Sequence, residues 1–224
     1  MPIRRRLLLL TVSSALGGLL FAPFVLEGMR AARVDVAPPL SVIALIFCIG
    51  SALVAALCSW LGLRFSDRTD LPMPILRAWE QSARIPEGAL PRILSAAIAG
   101  GLAAGLLVGA VVHLLHLPPN PGTLTVRLLT VFFAATITEI IVHLFAMSGL
   151  FLLFHNRWIA IFLSSVLFVL IFHSGQIGGP WMTALVVFAN FSFGTLTGWL
   201  YTRYGFECAV LTHAVAHLIA LGWN

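Results

Sequence analysis

Lysine is absent from this 224-residue chain: all thirteen basic residues are arginine, and only 9% of the residues are charged. A soluble domain carries about 25%, so a surface solvated on every side is excluded. The net charge of +5 does not point to nucleic acid. The arginines are scattered between apolar runs and form no stripe with interleaved aromatics. Cysteine is scarce as well. Cys48, Cys58 and Cys208 lie in apolar segments without CxxC spacing, which excludes a disulfide framework and a thiolate metal knuckle and leaves them as small hydrophobes. No internal repeat is visible, so an inverted-repeat transporter is not indicated. No small-x-small cleavage site ends the first apolar run, which reaches Leu26; it reads as a spanning helix and not as a removed signal.

What the chain has is hydrophobicity, 60% of its residues. A bilayer core about 30 Å thick takes about 20 apolar residues of helix. Residues 7–29, 40–63, 92–116, 125–154, 158–176, 181–202 and 206–222 meet or approach that length, the fifth and last being short. Open strands cannot cross lipid, and these runs are too long and continuous for barrel strands. The expected fold class is all-α: a polytopic bundle of about seven spans in one membrane domain, with 1–123 holding the first spans and 124–224 the motif-bearing core.

Arginine placement sets orientation. With the amino terminus inside, Arg4, Arg5, Arg6, Arg64, Arg68, Arg77, Arg84, Arg92, Arg157 and Arg203 fall on the inner side. Only Arg30, Arg33 and Arg127 fall outside. The carboxyl terminus is then expected outside a cell membrane. The 64–91 connection reads as a cytoplasmic or interfacial segment. Glycines four apart, Gly101, Gly105 and Gly109 and again Gly194 and Gly198, read as seams for close helix packing. Gly175, Gly178, Gly179 and Pro180 read as an outer turn.

An ionised side chain at the bilayer centre costs about 2.5–3.5 kcal/mol or more. Of the eight acidic residues, Glu139 alone sits deep in a span, whereas Glu207 starts a helix and suits a cap. His113, His116 and His155 fall at span ends. His143, His173, His213 and His217 are internal. Counted from the nearest inner arginine at about 1.5 Å per residue, His143 lies about 21 Å deep, Glu139 about 27 Å, His173 about 24 Å, His213 about 15 Å and His217 about 21 Å. Three helices therefore bring polar groups to one layer. Glu139 and His143 are four apart, as are His213 and His217, so each pair shares a face. A carboxylate beside an imidazole holds a proton between them and serves as a general base.

The stretch from Gly194 through Leu200-Tyr201-Thr202-Arg203-Tyr204-Gly205 to His213-Ala-Val-Ala-His217 resembles the CPBP family, the CAAX prenyl proteases of the Ras-converting type and the related bacteriocin-processing and immunity proteins. The resemblance can be followed from about residue 125 to 222. Its Glu-Glu-x-x-x-Arg motif looks like Thr138-Glu139-Ile140-Ile141-Val142-His143. Its Phe-x-x-x-His motif ends at His173, with Phe168 one residue out of place. Its His-x-x-x-Asn motif becomes His213-x-x-x-His217. The resemblance implies an intramembrane endopeptidase in which Glu139 and His173 activate a water, while His213 and His217 face the tetrahedral intermediate. Thr138 stands where the family has its first glutamate, and a local bulge is the way Glu139 would be realigned.

The departures at His143 and His217 raise the metal-binding character of the site. Glu139, His143, His173, His213 and His217 make a candidate zinc or iron ligand set, although no metal is required by the glutamate mechanism. A non-catalytic immunity or assembly factor is a further alternative. The expected partners are the lipid bilayer and a membrane protein or lipidated peptide substrate.

Overall fold

The computed structural model describes residues 3–31, 38–116, 123–172 and 179–221. Among these residues all regular structure is helical. The chain runs through α1 (Ile3–Ala31), α2 (Leu40–Thr69), the short α3 (Pro74–Glu80) and α4 (Ala89–Leu114). It continues through α5 (Leu124–Phe154), α6 (Arg157–Phe172), α7 (Pro180–Tyr204) and α8 (Phe206–Leu221). Helices α1, α2, α4, α5 and α7 are long and apolar enough to cross a membrane, and α6 and α8 are shorter apolar helices. The chain is a multi-pass helical membrane bundle. The seven expected spans coincide with these helices to within a few residues, except that α2 continues six residues past position 63; positions 173–176 and 222 of the expected spans lie outside the described residues. His173, Gly175, Gly178 and Arg33 lie outside the described residues.

Local chemistry explains where the helices start and stop. Thr123 caps α5, its Oγ1 accepting from the Val126 amide at 3.3 Å. Asn156 caps α6 by accepting from the amides of Trp158 and Ile159 at 2.9 and 3.2 Å. Proline opens α3 and α7, where its missing N–H costs nothing. The sharp joint between α7 and α8 is Gly205, at φ +112, a conformation that a Cβ disfavours. Here a Cβ would also strike Pro74 Cδ at 2.8 Å. Just beyond it, Glu207 does act as a cap, but for another helix. Its Oε1 accepts from the Leu76 amide in the first turn of α3 at 2.7 Å.

The arginines expected to report only topology include one with a structural task. Arg6 is 3% exposed. It forks onto Asp67 of α2 at 3.2 and 3.0 Å and reaches Glu80 of α3 through Nε at 2.7 Å. Arg77 joins Asp67 at 3.3 Å. This network ties the start of α1 to the end of α2 and to α3, so the 64–91 connection is fastened beneath the bundle.

Inside, Leu10, Ala55, Leu63, Ile140, Leu144 and Tyr201 belong to one buried cluster. Outside, leucines such as Leu53, Leu57 and Leu153 stand exposed, as a lipid-facing surface demands. The small-residue seams act where expected. A Cβ on Gly101 would come within 2.5 Å of Val215 Cβ, and one on Gly105 within 2.6 Å of Ile219 Cβ. Those glycines let α4 lie directly against α8.

Candidate active site

The polar cluster is built around a change of helical pitch. Residues Ile140–Met147 of α5 form a π-helical segment that begins right after Glu139. Its wider turn is seen in the Ser148 amide, which donates to the carbonyl of His143 five residues back. The Ser148 hydroxyl also lies 3.1 Å from the Tyr201 hydroxyl of α7, pinning the segment to its neighbour. π-bulges recur at functional sites, and this one lies directly after Glu139, next to the place where a local bulge was expected to realign that residue.

Glu139 is 1% exposed and His143 is fully buried. Nδ1 of His143 lies 2.6 Å from Glu139 Oε2. Nδ1 of His213, from α8, lies 2.7 Å from Glu139 Oε1. One carboxylate is therefore wedged between two imidazoles from different helices. The far nitrogen of His143 faces the Gly194 carbonyl oxygen at 3.2 Å. A carbonyl can only accept, so His143 Nε2 carries a hydrogen. The close contact of its Nδ1 with Glu139 then holds a further proton, and the Glu139–His143 pair is neutral as a unit. Burying one charge alone would be far more costly.

Glycine makes this approach possible. A Cβ on Gly198 would come within 3.3 Å of both His143 Nε2 and Met147 Sδ, and one on Gly194 within 3.3 Å of Phe168 Cδ1. The seam read from spacing thus lets α7 lie against both the π segment and α6. Phe168 and Phe193 set the plane of His213, their ring centroids lying 6.2 and 4.8 Å from it at nearly right angles.

From His213 the cluster continues outward. His213 Nε2 and His217 Nε2 are 3.0 Å apart with the rings nearly parallel, 8° between planes. One of the two donates to the other. The chain of contacts runs Gly194, His143, Glu139, His213, His217, crossing three helices. His217 is half-buried and lines a cavity of about 80 Å³ with Val108, Phe168, Asn190 and Phe193. That volume admits water.

Of the residues expected from the sequence, Glu139, His143, His213 and His217 come together. His173 lies outside the described residues. His113 and His116 are exposed near the end of α4, and His155 caps α5 at φ +52, at the span ends where they were expected. As to a metal, the Glu139 oxygens face imidazole Nδ1 atoms and His143 Nε2 faces a carbonyl. Among the described residues no group of three or more His, Cys, Asp or Glu side chains is arranged to hold an ion.

Two contributors were not singled out from the sequence. Asn190 of α7, buried, donates from Nδ2 to the Val186 carbonyl at 2.8 Å and lines the same cavity. Thr197, one turn below Gly194, places its hydroxyl 3.4 Å from His143 Nε2. The signal available for Asn190 was its cost: a carboxamide in the middle of an apolar span needs a reason, as an ionisable group does.

Residues 120–219 match the family model described as type II CAAX prenyl endopeptidase Rce1-like. The matched segment covers α5 to α8 and contains every member of the polar cluster. No curated protein matches the chain, and no solved structure does.

Proposed function

We propose, proceeding from the match of residues 120–219 to the Rce1-like family model, that this chain is an intramembrane endopeptidase. It hydrolyses a peptide bond of a membrane-embedded substrate through a water activated by the Glu139-centred glutamate–histidine cluster. The observation that carries this reading is the buried carboxylate of Glu139 held by His143 and His213 from two helices at 2.6 and 2.7 Å. A buried, pre-oriented carboxylate–imidazole system at membrane depth is costly as mere glue, because interhelical hydrogen bonds there contribute only about 1 kcal/mol. General base catalysis is the use that repays it. His173 enters this reading through the family resemblance alone, as the partner of Glu139.

The arginine asymmetry supports an inside amino terminus and an outside carboxyl terminus. The family match supports the substrate class of this reading, a membrane protein or a lipidated peptide.

The test is cleavage in lipid nanodiscs of two probes, a quenched-fluorescence transmembrane peptide library and a farnesylated carboxyl-terminal peptide. The expected result is cleavage by the unaltered chain, abolished by Glu139→Gln and by His173→Ala. Full cleavage by both variants would sink this reading.

A further inference from the structure

We infer that the cleft between the start of α4 and the end of α7 is a binding site for an anionic phospholipid, its phosphate held between Arg92 and Arg203. The site goes beyond the peptidase reading and does not rest on it.

The cleft follows from how the two helices pack. Arg92 near the start of α4 and Arg203 in the last turn of α7 fall at the same end of the bundle. Further into the bundle the helices touch, and a Cβ on Gly100 would come within 2.7 Å of Leu200 Cδ1. Between that contact and the helix ends, α4 presents Ala96 and Ala99, whose short side chains leave room. The resulting cleft of about 790 Å³ is lined by Arg92, Ser95, Ala96, Ala99, Arg203 and Tyr204. Small-molecule sites span about 300–1,000 Å³, so a lipid headgroup fits.

Its chemistry selects an anion. Arg92 and Arg203 are exposed, and among the described residues neither guanidinium is paired with a carboxylate. Arg6 and Arg77, by contrast, are tied to Asp67 and Glu80. The helix dipole does not account for Arg92, because a cation is disfavoured near a helix N-terminus. Guanidinium forks match phosphate oxygens in geometry as well as in charge. The Tyr204 hydroxyl lines the same cleft and adds a neutral donor. Ser95 gives its hydrogen to the Arg92 carbonyl at 3.2 Å and so offers an acceptor to a headgroup hydroxyl. Among the described residues no carboxylate lines the cleft. The amine of a zwitterionic headgroup would therefore meet two cations and no anion.

Position selects a lipid over a free phosphate. Leu94, Ile98 and Trp199, on the same two helices, are exposed as a lipid-facing surface demands. Trp199 stands edge-on to Tyr204, with ring centroids 6.2 Å apart, and such aromatics at the end of a span belong to the headgroup level. The apolar floor of Ala96 and Ala99 leads from the arginines toward the Gly100–Leu200 contact. An acyl chain takes that course from its phosphate into the bilayer. The arginine asymmetry supports placing this end in the inner leaflet, where basic pockets between spanning helices bind anionic headgroups.

The test is lipid binding by the full chain in detergent micelles, read by native mass spectrometry. Phosphatidylglycerol, phosphatidylethanolamine and glycerol phosphate are the three probes. One phosphatidylglycerol per chain is expected to bind, at least about tenfold more tightly than phosphatidylethanolamine. Arg92→Gln and Arg203→Gln are each expected to weaken it about fivefold, and the two together about 25-fold. Ala99→Trp keeps both charges and fills the cleft, so it is expected to abolish the one-to-one complex. Arg84→Gln removes an inner-side arginine that lines no part of the cleft and is expected to change nothing. A loss in Arg84→Gln equal to that in Arg92→Gln, or full binding by Ala99→Trp, would overturn the inference in favour of diffuse surface charge. Equal binding of the two phospholipids would overturn it as well. Displacement of phosphatidylglycerol by an equal concentration of glycerol phosphate would replace the lipid site with one for soluble phosphates. Cleavage enters none of these readouts, so the peptidase reading stands or fails separately.

Discussion

The Gly194 carbonyl oxygen lies 3.2 Å from His143 Nε2, on the side of the ring opposite Glu139. That one acceptor fixes a hydrogen on Nε2 and so makes Glu139 and His143 hold a proton jointly. The relation ties a glycine of α7, needed for close packing, to the protonation of the candidate catalytic carboxylate.

Glu139→Gln and His143→Ala are therefore expected to differ in stability. A glutamine at 139 accepts from His213 with its oxygen and donates to His143 Nδ1 with its amide, so every buried polar atom keeps a partner. Its cost should stay under about 1 kcal/mol. His143→Ala strips Glu139 of one partner and opens a void beside Gly194. Its cost should approach the roughly 3–5 kcal/mol of a broken buried pair. Unfolding of both variants in mixed micelles measures the difference. Equal losses would show that the joint proton has been misassigned.

Arg6 was legible only as a charge on the inner side, because topology signals and buried ion pairs look alike in a sequence. The i,i+4 spacing of Glu139 with His143 and of His213 with His217 was legible, since 3.6 residues per turn puts each pair on one face. Counting residues put Glu139, His143, His213 and His217 in one layer, and those four meet; His173, on the third helix of that count, lies outside the described residues. Which imidazole nitrogen meets which oxygen was not legible, because it depends on helix rotation and on the π segment. No spacing rule places a π turn; the Thr138-Glu139 register only suggested that one was needed. Glu207 was expected to suit the start of its own helix; that it accepts from the Leu76 amide of α3 was not legible, because that depends on a contact 131 residues away.

Arg6→Ala should destabilise the bundle by several kcal/mol at neutral pH, about 3–5 for a broken buried pair, with less expected if Asp67 turns to solvent. Burial already pushes the Glu80 carboxyl above the usual range, with Arg6 as the main pull downward. Without Arg6 that carboxyl rises further. A group whose folded value is raised contributes stability that is present at low pH and lost as pH climbs through that value. The gap between Arg6→Ala and the unaltered chain should therefore narrow from pH 8 to pH 5. Thermal unfolding at the two pH values reads it, and a constant gap would place the loss in packing and not in charge.

Two glycine-to-alanine changes should have opposite signs. At Gly101 a Cβ would meet Val215 at 2.5 Å, and forcing α4 off α8 should cost about 1–3 kcal/mol. At Gly50, inside α2, a Cβ meets nothing within 4 Å. There the only change is the better helix propensity of alanine, a gain of up to about 1 kcal/mol. If Gly50→Ala destabilises by as much as Gly101→Ala, the α2 surface at that point is covered by something other than lipid.

Metal dependence is the last outcome to separate. With carboxylate oxygens on Nδ1 atoms and His143 Nε2 on a carbonyl, the cluster is arranged as a hydrogen-bonded relay. Cleavage is then expected to survive dialysis against a strong chelator with less than a twofold loss in rate. Elemental mass spectrometry of the purified chain, beside His213→Ala/His217→Ala, gives the complementary reading. A stoichiometric zinc or iron that disappears in the double variant, together with chelator-sensitive cleavage, would transfer water activation to the metal. The parallel imidazoles of α8 would then need to part, because each Nε2 would turn from its neighbour to the ion. Metal lost without any change in rate would leave the relay in charge of the proton.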